Sequence, residues 1–184
     1  MPKQLTSSAL IMFVLLALST FGSAQQEQQD KSKRPSPPAS AQCKFADGKT
    51  INVDYSSPRA RGRKIIGGVV PYDKVWRTGA NEATSFVTTA DLTIGNVNVP
   101  AGNYTIYTLP SEQTWRLIIN KQTGQWGTVY DEKQDLARVD MESKTLSSPV
   151  ENFTIAFDHT SGDSCRMQLD WEKTREWVEI KEKR

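Results

Sequence analysis

From Thr50 to Ile180 apolar and polar positions alternate with a period of two, the signature of strands with one buried face. Ile51, Val53 and Tyr55 alternate with Asn52 and Asp54, and Phe86-Val87 lies in a Thr/Ser-rich run that ends at Thr89. Leu92 and Ile94 precede Gly95-Asn96, and Val97 and Val99 follow, which predicts a hairpin. After the turn cluster Pro100–Asn103, Tyr104, Ile106 and Thr108 alternate with Thr105, Tyr107 and Leu109. Further strands are predicted from Trp115 to Ile119, Leu136 to Lys144, Phe153 to Phe157, Cys165 to Trp171, and Trp177 to Ile180. No long stretch carries a helical stripe, and Tyr72–Arg77, after Pro71, is the one place where a helical turn fits. Eight to ten short strands with Gly/Pro/Asn turns predict an all-β antiparallel sandwich, jelly-roll-like, with one long irregular crossover. Tyr104, Ile106, Trp115, Phe153, Phe157 and Trp171 fall on one parity and are expected in the core.

The N-terminus breaks this pattern twice. Lys3 precedes the uncharged apolar run Ala9–Leu18, and Gly22-Ser23-Ala24 supplies small residues at a cleavage site. This is a secretory signal, with cleavage expected after Ala24 and an uncleaved anchor as the alternative. Residues 25–42 hold no aromatic residue and no Val, Ile or Leu, and read as a disordered linker. Residues 43–184 remain as the folded domain, long enough for one sizeable core. A lipid anchor on Cys43 is disfavoured by Gln42 immediately before it.

Composition adds little. Lys+Arg is 23 against Asp+Glu 21, a net charge of +2, which gives no drive toward nucleic acid. One His and two Cys exclude most His/Cys metal cages. In an oxidising compartment Cys43 and Cys165 suit a structural disulfide, with two free thiols or a reactive cysteine as the alternatives.

The region 55–84 does not look like scaffold. Arg59, Arg61, Arg63, Lys64, Lys74 and Arg77 are opposed by Asp73 alone within 59–77, a local excess of 6 − 1 = 5 positive charges. Long aperiodic loops are often functional. Guanidinium groups near aromatic rings suit anionic ligands or sugar hydroxyls. The candidate ligand-binding residues are therefore Arg59, Arg63, Tyr72, Trp76, Arg77, Asn81 and Glu82. The competing reading makes Arg77, Asn81 and Glu82 a sealed network that pins the crossover to the sheets.

Tyr55–Arg59, Gly62–Ile65, Gly67-Gly68, Val70–Tyr72 and above all Val75–Thr84 (VWRTGANEAT) strongly resemble domain-of-unknown-function family 2911. Pro100–Tyr104, Tyr107–Pro110, Asn120-Lys121, Gln125–Gly127 and Val150–Ile155 are similar to its later motifs. The resemblance spans about residues 45–180 and implies an exported bacterial protein with one β-rich domain. It brings no catalytic residue with it. The Cys43/Cys165 pair resembles the version carried by a subset of that family.

Other chemistries find weak footing. His159 follows Asp158 in a turn-like segment and no Gly-x-Ser-x-Gly elbow occurs, so a serine triad is not expected. Asp131, Glu132, Asp135, Asp140, Glu142 and Glu151 are read as solvated surface rather than a glycosidase pair. Asp131, Glu132 and Asp135 lack the spacing of an EF-hand, and no phosphate-binding loop is present. No catalytic residue, metal, cofactor, nucleic-acid partner or membrane span of the mature chain is expected. The expected function is a cell-envelope binding or accessory module, periplasmic or extracellular, for a small anionic or carbohydrate ligand or a protein partner. The alternatives are a hydrolase on envelope glycans or peptides, and a purely structural domain.

Overall fold

The structure, a computed structural model, describes residues 30–183. The segment 1–24 expected to direct export lies outside them. Among the described residues ten strands form two antiparallel sheets. The larger contains β1 (Pro38–Lys44), β2 (Thr50–Ser56), β3 (Thr84–Thr88), β6 (Gly102–Leu109), β7 (Arg116–Asn120) and β8 (Asp135–Asp140), in that order. The smaller runs β5 (Val97–Val99), β4 (Leu92–Ile94), β10 (Ser164–Glu182), β9 (Glu142–Ser161). The expected hairpin at Gly95-Asn96 joins β4 to β5, with Ile94 paired to Val97. The fold is thus an all-β antiparallel sandwich whose one long irregular crossover runs from β2 to β3.

The inward parity is as the alternation dictates. Ile51, Val53, Phe86, Ile106, Leu117 and Ile119 of the larger sheet are buried against Ile94, Phe153, Met167 and Leu169 of the smaller. Phe157 is only half-buried, at the rim of that core. Burial of this apolar surface is the main drive to fold. Tyr55 adds a polar tie between the sheets: its hydroxyl accepts the Ile155 N–H at 3.0 Å, and its ring meets Phe153 edge-on. Cys43 on β1 is disulfide-bonded to Cys165 on β10, which settles the three alternatives for these thiols.

Three expectations change. The domain begins upstream of Cys43, because Pro38–Gln42 pair with Asn52–Ser56 as the first strand. Composition misses such a strand: its stability comes from backbone pairing at a sheet edge, not from its side chains. Tyr72–Arg77 holds no helix. Tyr72-Asp73 form a turn with Asp73 at φ 58°, and Trp76 is extended, bridged to Thr108 of β6. The strands expected separately at 165–171 and 177–180 are one, β10, interrupted by an irregularity. Glu172 pairs with Val150 and Thr174 with Thr145, so Leu146–Pro149 are looped out of β9. Pro149 lacks the N–H a continuous ladder requires. The interruption changes parity: Cys165, Met167, Leu169 and Trp171 face inward before it, and Glu176, Val178, Ile180 and Glu182 after it.

Candidate functional site

The crossover between β2 and β3 carries all seven candidate residues, and the structure sends them to four different places. Arg59 and Arg63 serve the crossover itself. Arg63 donates through Nε to the Ala60 carbonyl (3.0 Å) and through Nη2 to the Arg59 carbonyl (2.7 Å), and Arg59 reaches the Ser57 hydroxyl. Tyr72 lays its ring over Gly67, where a Cβ would come within 2.8 Å of it. Trp76 turns inward. It stacks on Trp171 with ring centroids 5.6 Å apart and meets Phe153 and Trp115 edge-on.

Asn81 and Glu82 grip the N-terminal segment. Arg34 donates through Nη1 to both Glu82 oxygens, at 2.9 and 3.0 Å, and Lys31 Nζ lies 3.1 Å from Oε1. Asn81 Nδ2 donates to the Ser36 carbonyl, and the Ser57 N–H donates to the Pro37 carbonyl. Partial burial works against the Glu82 carboxylate. The Arg34 guanidinium, a backbone N–H and Lys31 outweigh it and hold the pKa down at about 2. Asn81 and Glu82 therefore hold the N-terminal segment through Arg34, Lys31 and Ser36, and do not join Arg77 in a sealed network that pins the crossover to the sheets.

Arg77 is left alone. Trp76 and Arg77 sit on opposite sides of an extended stretch, so the guanidinium emerges on the outer face of the larger sheet. No carboxylate among the described residues pairs with it. Its Nε is buried without a partner, and desolvation lowers its pKa. Val75, Trp76, Arg77, Tyr107, Gly127, Thr128 and Tyr130 line an open pocket of about 170 Å³. Gly127 is required there: a Cβ would stand 2.5 Å from Arg77 Cδ and 2.8 Å from the Asn81 carbonyl oxygen, which the Gly127 N–H already engages.

The pocket's far wall is rigid. The Tyr107 hydroxyl donates to the Val129 carbonyl and accepts from Gln125 Nε2. Tyr130 donates to Asp135 Oδ2 at 2.7 Å and accepts from Arg138, while Asn120 holds Asp135 Oδ1. Burial, and then the hydrogen bond to Asp135, push the Tyr130 phenol up to about 12. Trp126 and Val129, in the same turn as Gly127, are about half exposed. Residue-by-residue reading overlooked Tyr107, Gly127 and Tyr130. The available signal was Gln125-Trp126-Gly127, an apolar ring and a glycine inside an otherwise polar loop.

The backbone around Arg77 is strained. Thr78, Gly79 and Asn81 all have positive φ, and Thr78 is β-branched, a poor fit to that region. Buried hydrogen bonds hold it: Thr78 Oγ1 donates to Thr108 Oγ1, and Thr84 Oγ1 donates to the Thr78 carbonyl.

The hydrolytic candidates are placed elsewhere. His159 stands exposed near the end of β9, with Asp158 3.9 Å away as the only acid within 4 Å of it among the described residues. Glu151 and Glu172 do share a cleft of about 420 Å³ with Arg63 and Lys64. Each is occupied as an acceptor, for the Arg61 and Ile65 backbone N–H respectively. Among the described residues no group of three or more His, Cys, Asp or Glu side chains could hold a metal ion, and no helix is long and apolar enough to cross a membrane.

Residues 36–180 match the family described as "Protein of unknown function (DUF2911)", and the chain belongs to it. No curated protein and no solved structure gives a match.

Proposed function

We propose that this protein is a binding module of the cell envelope, that it acts after removal of residues 1–24, and that Arg77 is its recognition residue. The single observation that carries this reading is the unpaired guanidinium of Arg77 in an open pocket. A desolvated guanidinium without a carboxylate loses free energy unless an acceptor arrives, and a planar oxyanion matches its fork. The pocket's 170 Å³ falls below the size of sites that enclose whole drug-sized molecules. It suits a carboxylate, sulfate or phosphate, or the acidic end of a larger ligand lying over Trp126. The disulfide fits an oxidising compartment.

Titration with glucuronate, sulfate and phosphate, followed by the Arg77 Nε–H resonance, tests the site. Saturable binding is expected. Arg77→Met keeps the aliphatic packing on Gly127 and is expected to weaken binding by about tenfold or more, the worth of one charge-assisted hydrogen bond. Equal affinity in the variant overturns the reading.

A further inference from the structure

Glu176 has no place in the Arg77 site, yet it is the least expected side chain in the protein. The irregularity in β10 turns it inward, and it is 2% exposed. Ser143 Oγ donates to Oε1 at 2.7 Å, while Oε2 is buried without a partner. Glu176 lines one small cleft together with Trp76, Trp115, Trp171, Phe153, Ile66 and Thr174. Three indoles and a phenyl ring thus share that cleft with one carboxyl that has a vacant oxygen. A buried carboxylate needs a donor, and the π faces of indoles favour a cation over an anion.

Size narrows the class of cation. The free space is about 10 Å³, room for one water-sized body. A primary ammonium is of that size and carries three donors. A quaternary ammonium is several times larger and would have to part the stacked indoles. The rim residues Ile66, Trp76 and Thr174 are only half-buried, so the approach is from their side. We propose that Glu176 and the indoles of Trp76, Trp115 and Trp171 form a receptor for a primary ammonium group on a slender alkyl stem. The lysine side chain has this chemistry, and so does a free alkylamine. A ring-borne amine does not, because its carbons crowd the mouth.

No other ionisable side chain lines the cleft. The flanking charges, Glu142 and Lys144 on β9 and Arg175 on β10, alternate to the opposite face, where Arg175 pairs with Asp170. Desolvation raises the Glu176 pKa to about 7. Ammonium binding therefore requires loss of that proton. Apparent affinity should climb as pH rises toward 7 and level off above it.

The test is titration of the intact protein with methylammonium, Nα-acetyl-lysine methylamide, glucosamine and tetramethylammonium at constant ionic strength, read at the indole N–H resonances. The expected result is saturable shifts at Trp76 and Trp171 with the first two ligands only. Binding should be stronger at pH 8 than at pH 5. Response to methylammonium alone would assign the site to free amines, and response to the lysine compound as well would assign it to lysine side chains. Glu176→Gln should weaken binding at least tenfold while glucuronate titration of the same variant still reports the Arg77 site, so the two sites fail separately. If Glu176→Gln does not fold, the pH dependence in the wild-type protein decides. Absence of saturable shifts, equal response to tetramethylammonium, or pH-independent affinity would overturn the proposal.

Discussion

Glu176 and Arg77 are opposite in charge and each leaves one buried polar atom without a partner, whereas the buried Asp170 and Glu182 are paired with Arg175 and Lys49. Glu176 and Arg77 each make a sharp prediction. Folding raises the Glu176 pKa from an ordinary 4.5 to about 7. The native state therefore binds this proton more tightly than the unfolded chain. Its contribution to stability is full below about pH 4.5 and is lost as pH rises through 7. Glu176→Gln, neutral at every pH, should match the wild type near pH 4. It should exceed it at pH 8 by up to about 3 kcal/mol, measurable as a difference in thermal midpoints at the two pH values. Gly127→Ala acts on the other charge. The added methyl meets Arg77 Cδ and the Asn81 carbonyl, so a loss of about 1–3 kcal/mol in denaturant unfolding is expected, together with weaker anion binding. Arg77 was legible in the sequence as a basic residue beside an aromatic one in an aperiodic segment. Glu176 was not, because period-two reading from Trp171 points residue 177 inward and 176 outward. Only the looped-out Leu146–Pro149 and the shift at Glu172 reverse that. Trp177, displaced to the outer face, instead lies 5.3 Å from the Arg166 guanidinium.

At the scale of elements, the N-terminal segment is the main departure from expectation. Residues 25–42 have a linker's composition, yet Lys31, Arg34, Ser36 and Pro37 are all held by the crossover, and β1 starts at Pro38. Composition reports how much apolar surface a segment can bury. It is silent on a carboxylate elsewhere in the chain that two basic residues can reach. The central strands were legible because they bury one face. The edge strand β1 was not, since its exposure alternates without a strong apolar set. The docking has a definite pH response. The Glu82 pKa is held down at about 2, so the attraction to Arg34 and Lys31 is complete above about pH 4.5 and fades as pH falls toward 2. Glu82→Gln should release the segment at neutral pH. Trypsin cleavage after Lys31 or Lys33 is then expected to run several-fold faster in the variant, while cleavage within residues 50–180 stays unchanged. Equal rates would mean that the backbone bonds to Ser36 and Pro37 hold the segment without the carboxylate.

At the scale of the whole molecule, the two sheets are held by their shared core and by one covalent tie between the first strand and the last. Cys43 and Cys165 are 122 residues apart in sequence, so the bridge encloses most of the folded unit. Closing a loop of that length removes about 5 kcal/mol of unfolded-state entropy in the chain-entropy model. Measured losses on removing such a bridge are commonly smaller, about 2–5 kcal/mol. The double variant Cys43→Ser/Cys165→Ser should therefore lose stability in that range, a fall of roughly 10 °C in thermal midpoint. The Arg77 pocket is built elsewhere, from the crossover, β6 and the turn at residues 127–130. Its affinity for sulfate or glucuronate in the double variant, measured well below the new midpoint, should equal the wild type. A parallel loss of binding would show that the tie between β1 and β10 sets the geometry of the outer face as well as the stability of the fold. Unchanged binding would confine the bridge to the stability of the fold and leave recognition to the strained turn from Thr78 to Asn81.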